Sequence, residues 1–265
     1  MQIFKRELRA HRLGLLFWSL GMIFLVVSGM AKFAAYQTSS TSLNALMNTF
    51  PHSMQVLFGI NGFDLTKASG YYGVLYLYLA LMAGIHAVLL GAEILSKEER
   101  DRTVEFLLVR PLSRSKILSE KIFAGFCMLV ILNFLTLVSS LLSMAHYNHG
   151  NALASTIFVM MSGIFFIQII FFAIGIAVAA IRTRPKASST IASSILLGGL
   201  IIYYLVEFNS SFQNLKYLTP FQYFDGKVLL KNGSLDPLYV FLSLAIVLIL
   251  SFMSFARYRS RDMDC

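Results

Sequence analysis

Few residues in this chain are placed to make or break covalent bonds. Glu98 and Glu99 are adjacent carboxylates, a pair suited to general acid and base work, yet they stand in the charged run Lys97-Glu98-Glu99-Arg100-Asp101-Arg102. His146 and His149 have the i, i+3 spacing of metal ligands, but no acidic residue accompanies them and a zinc site is not expected. No His-Glu-x-x-His or Gly-x-Ser-x-Gly run occurs. The phosphate loop Gly-x-x-x-x-Gly-Lys-Ser/Thr is also missing, since the Gly226-Lys227 pair is followed by Val228. The chain is therefore expected to hold no metal or cofactor and to hydrolyse no ATP itself. Cys127 and Cys265 give no disulfide framework.

The surroundings of these residues decide what they can do. Of 265 residues, 57% are apolar and 13% charged, against about 45–50% and 25% in soluble domains. With a mean hydropathy of +0.70 and 23 Phe, too much apolar surface is left over for one buried core of this length. Six stretches reach the roughly 20 apolar residues a membrane span needs: 13–35, 71–95, 122–146, 153–181, 187–206 and 237–256. All five prolines fall in connections or at an edge of these stretches. The expected fold is an all-α, polytopic six-helix membrane protein forming a single transmembrane domain over 1–265.

Charge sorts across the six spans. Of 22 Lys and Arg, only Lys32, Lys67, Lys216, Lys227 and Lys231 fall on one side; the rest gather with both termini on the other. By the positive-inside rule that side is cytoplasmic. The net charge of +9 is thus a topology signal spread over four segments, and no nucleic-acid partner is expected. Residues 1–12 alternate Ile3, Phe4 and Leu8 with Lys5, Arg6, Arg9 and Arg12, a pattern suited to an interfacial helix. Reading the N-terminus as a cleaved signal peptide would remove a span and spoil the charge sorting. The outer connection 207–236 is too apolar for a solvated loop and is expected to form a short helix or helix pair dipping into the outer leaflet.

The cytoplasmic connection 96–121 carries most of the functional signal. Ser96 and Glu99 form a capping-box pattern, which predicts a new helix there. Val104, Leu107 and Leu108 recur at i, i+3, i+4 and give it an apolar stripe, Pro111 ends it, and Ser113 or Ser115 can cap the next helix. Such a stripe lies either on lipid headgroups or in a groove of a separate protein.

The run Glu93, Glu98-Glu99-Arg100, Thr103-Val104-Glu105-Phe106-Leu107-Leu108, Pro111-Leu112-Ser113-Arg114 and Lys121 resembles the permease subunits of type-2 ATP-binding-cassette (ABC) exporters, although Arg102 stands where a Gly is usual. The six-helix layout and Leu218-Thr219-Pro220-Phe221 are similar as well. The resemblance implies an ATPase-coupling set of Glu93, Glu98, Glu99, Arg100, Thr103, Val104, Phe106, Leu107, Leu108, Pro111 and Arg114, with residues 98–108 as the coupling helix. It also implies two ABC ATPase subunits, which carry ATP and Mg, and a second permease subunit completing a homodimer or heterodimer in a bacterial plasma membrane.

Within the second span, Ala80, Gly84, Ala87 and Gly91 form a small-residue face for close helix packing. His86 and Glu93 share another face about 10.5 Å apart along the axis. His86 either lines a pathway or hydrogen-bonds a neighbouring helix. Asn133, Thr136, Gln168, Ser189 and Ser193 suit contacts between helices, and Tyr71, Tyr72, Tyr76, Tyr78, Tyr203 and Tyr204 suit an interfacial aromatic belt. Candidate pathway residues are Tyr76, His86, Ser189, Ser193 and Tyr203. The expected function is export of an amphipathic peptide, antibiotic or lipid-like substrate. Alternatives are a carrier or channel without ATP, a membrane immunity or sensor protein, and an intramembrane protease. The protease reading is weakened because Thr103 stands where its Glu-Glu-x-x-x-Arg pattern needs an arginine.

Overall fold

The computed structural model describes residues 2–37, 49–100, 113–148, 153–181 and 185–260, and no strand occurs among them. Six helices are long and apolar enough to cross a membrane. They are α1 (Gln2–Gln37), α3 (Ala68–Arg100), α4 (Arg114–Tyr147), α5 (Ala154–Ile181), α6 (Pro185–Phe208) and α9 (Pro237–Ser260). The short helix α2 (His52–Leu57) lies between α1 and α3. Between α6 and α9 lie a 3-10 helix (Ser210–Leu218), α7 (Pro220–Tyr223) and α8 (Gly226–Asn232), short helices as expected of this apolar connection.

Local chemistry fixes several boundaries. Ser113 caps α4 by accepting from Lys116 N–H, and Pro185 and Pro237 open α6 and α9, where a missing N–H costs nothing. Asp225 caps α8 by accepting from Lys227 and Val228 N–H, and Gly233, at φ 65°, ends it.

Two expected boundaries are corrected. Residues 2–12 do not form a separate surface helix but continue α1 without a break. The reason is packing: Phe4 meets Phe123 at a ring distance of 5.3 Å, and Ile3 is buried against Ile117. No helix begins at Ser96 either, because α3 runs on to Arg100 and Ser96 Oγ donates to Ala92 O at 2.6 Å. The serine hydroxyl is satisfied one turn back inside the helix, so it caps nothing. Residues 101–112, with Thr103, Val104, Phe106, Leu107, Leu108 and Pro111, lie outside the described residues, as do the side chains of Glu98, Glu99 and Arg100.

Helices α3 and α5 form the centre, with α1 and α4 packed beside α3, α6 on its other flank and α9 against α5. Helices α3 and α5 come close at Gly91 and Gly175: a Cβ on Gly91 would strike Phe172 O, and one on Gly175 would strike the α3 backbone at Val88. The small face expected on the second span is thus used within the chain, with Ala80 and Ala87 buried beside Gly84 and Gly91. The hydrogen bond from Asn133 Nδ2 to Gln168 Oε1, 3.3 Å, joins α4 to α5 as expected, whereas Thr136 only donates to its own helix at Leu132 O.

Candidate functional site

α1, α3 and α4 contain 36, 33 and 34 residues, so each is about 50 Å long at 1.5 Å per residue. A hydrocarbon core is about 30 Å thick, and all three outrun it. The surplus gathers at one end, where the start of α1, the end of α3 and the start of α4 meet. There Glu7, with a fully buried side chain, accepts from Lys97 Nζ at 3.0 Å and lies 3.2 Å from Arg6 Nη2, 3.8 Å from His11 Nε2 and 4.0 Å from Lys121 Nζ. Lys121 is 1% exposed and also donates to Ile94 O at 2.6 Å. Phe4 N–H donates to Glu120 Oε2 at 3.3 Å. A buried carboxylate shared among cations on three helices holds those helices in one register, since pulling them apart would leave Glu7 charged and unpaired away from water. It joins the two arms that carry the 101–112 connection.

Just inside this cluster, α1, α3 and α4 enclose a cavity of about 150 Å³ that both His86 and Glu93 line. The shared face expected of that pair is therefore real. Among the described residues the hydrogen-bonded helix contact weighed for His86 is not found: Nδ1 has no hydrogen-bond partner there, and the ring packs edge-on against Trp18 at 5.5 Å. Arg114 stands in the first turn of α4.

At the opposite end the tyrosines are anchors more than a belt. Tyr76 Oη donates to Phe224 O at 2.9 Å, Tyr72 Oη to Ser140 Oγ at 2.8 Å, and Tyr203 Oη to Asp225 Oδ2 at 3.0 Å, all three buried. Tyr78 and Tyr204 hold the other connection through Phe58 O and Leu57 O. Lys227 pairs with Glu207, which also accepts from Gln222 Nε2 at 3.3 Å. Burial pushes the Asp225 carboxyl above its ordinary pKa; Lys227 opposes the shift and Glu207 adds to it. Tyr76 and Tyr203 share a recess of only about 10 Å³, room for roughly one water. Ser189 and Ser193 are half-buried on α6 and line neither cavity. The five candidate pathway residues are thus not brought into one site.

Glu7, His11, Trp18, Gly175 and Asp225 were not singled out from the sequence. A signal for Glu7 existed, because it is the only carboxylate before Asp64 and is surrounded by Lys5, Arg6, Arg9 and Arg12.

These features define a multi-pass helical membrane protein whose longest helices are clamped together at one end. A profile described as ABC-2 family transporter protein matches residues 1–263. The chain belongs to the ABC-2 transporter family, as the motif in 93–121 implied. No curated protein matches it closely enough to narrow that assignment.

Proposed function

We propose that the chain is the permease half of an ATP-driven exporter in a bacterial plasma membrane, with both termini cytoplasmic. Two copies, or one copy and a sister subunit, form the pathway; two ABC ATPase subunits bind ATP and Mg and dock against residues 98–108. Closing of the ATPases moves the connection, and α3 and α4 carry that movement inward to a cleft between the halves. The permease catalyses no reaction itself. An amphipathic peptide, antibiotic or lipid-like molecule is taken from the cytoplasm or inner leaflet.

The observation that carries this reading is the Glu7 cluster. A force lever needs two arms that move as one, and Glu7 with Lys97 and Lys121 fastens the ends of α3 and α4 to α1 on either side of the connection. Family membership supports the ATPase partner. A detergent pull-down of the intact chain beside the double variant Leu107→Asp, Leu108→Asp tests it. Recovery of an ABC ATPase with the intact chain and its loss with the variant is expected; recovery with neither, from folded protein, refutes the proposal.

A further inference from the structure

The cavity between α1, α3 and α4 brings together two imidazole nitrogens that lack a hydrogen bond. His86 on α3 is 4% exposed, and its buried Nδ1 has no hydrogen-bond partner among the described residues. His11 on α1 lines the same cavity, and its Nε2 is buried and likewise without a hydrogen bond there. Glu7 Oε2 lies 3.8 Å from that nitrogen, beyond direct hydrogen-bond reach. A polar separation of this size is one that a water molecule bridges. The cavity volume of about 150 Å³ equals that of about five liquid waters.

Buried polar atoms in folded proteins find a partner, so these two nitrogens limit what can fill the space. An acyl chain would suit Leu15, Leu89, Leu90 and Met128 on the wall but leave both nitrogens unpaired. Water suits them in either tautomer, because it donates to a bare ring nitrogen and accepts from a protonated one. Glu93 adds carboxylate oxygens to the same wall, and these take several hydrogen bonds at once. Being neutral, water requires no excess of one charge in the lining. It also requires no fixed mouth, since local opening of the helices admits it.

We infer that the cavity holds a cluster of bound water that hydrogen-bonds His86 on α3 and His11 on α1 and so joins the two helices. His86 lies 11 residues before Lys97, about 16 Å away along the axis of α3. The cluster carries hydrogen bonding that far from the Glu7 clamp into an apolar span, where hydrocarbon offers none. It does not rest on the exporter reading, because it concerns only groups of this chain.

Water-edited solid-state NMR of the full-length protein in lipid bilayers, with nitrogen-15 in histidine and tryptophan, tests this. The chain has five His and one Trp, so single His→Gln variants assign the imidazole signals and Trp18 needs no assignment. Magnetisation from water is expected to reach the His86 ring about as fast as that of His52, which is exposed on α2. His86→Leu keeps much of the bulk but removes the hydrogen-bonding nitrogens. It is expected to cut the water signal at Trp18, another residue of the lining, about twofold or more, since the waters lose their partner on α3. Transfer to His86 from acyl chains but not from water overturns the inference, as does a Trp18 signal unchanged in folded His86→Leu. If that variant does not fold, the His86 signal of the unaltered chain decides alone.

Discussion

Glu7 and Asp225 are both buried carboxylates, and their surroundings give them opposite effects on stability. Glu7 is shared among Lys97, Lys121, Arg6 and His11, so Glu7→Ala takes a carboxylate away from Lys121 in a site 1% exposed. The expected loss is about 3 kcal/mol or more, with part recovered by adding Lys121→Met, because removing both partners also removes the buried ammonium that the carboxylate balanced. Thermal unfolding in detergent measures both variants. Asp225 is different, since burial raises its pKa in the folded chain. Between the unfolded and folded values the folded state holds the extra proton, so stability increases as pH falls through the folded value and levels off below the unfolded one. Asp225→Asn keeps an oxygen for the α8 cap and removes the charge. Its unfolding midpoint is expected to exceed that of the parent by about 2–4 °C at pH 7.5, with the difference closing on acidification. A lower midpoint at pH 7.5 would show the charge to be stabilising. Neither role could be read from composition: Glu7 looked like one more member of a charged flank, and its burial depends on α3 and α4, more than 80 residues away in sequence.

Helix identity was the most legible level, because a membrane span declares itself in about 20 consecutive residues. All six spans fall where apolar runs place them, and the small face of the second span meets α5 at Gly91 and Gly175. Ends were less legible, and for a physical reason. A polar residue such as Ser96 can cap a new helix or bond back within the old one, and only the Ala92 carbonyl 2.6 Å away decides between them. Likewise residues 2–12 carry a surface-helix pattern that the Phe4 and Ile3 contacts turn into the first turns of α1. The glycine crossing gives a direct test. Gly91→Leu is expected to prevent folding, since its side chain would meet the α5 backbone, whereas Gly198→Leu, with nothing within 4 Å of the added carbon, is expected to be tolerated. Detergent gel filtration distinguishes them: a folded peak from Gly91→Leu contradicts the packing described.

Over the whole molecule, the proposed function links events outside the hydrocarbon to a pathway inside it. α1, α3 and α4 outrun the bilayer at the Glu7 end, while buried tyrosines and the Glu207 and Lys227 pair tie the connections together at the opposite end. The sequence motif pointed to the connection itself, and the fold adds the clamp that fastens both of its arms. Candidate pathway residues scattered because polar side chains in spans also bond their own or neighbouring helices, as Tyr76 and Tyr203 do. The most direct test of ATP coupling places a photoreactive amino acid at Phe106 in the full-length chain in cells, with Lys67 as the control position. Irradiation is predicted to attach an ABC ATPase subunit at position 106 and none at 67. A membrane-inserted chain that yields no ATPase adduct from 106, or the same adduct from both positions, would contradict the account.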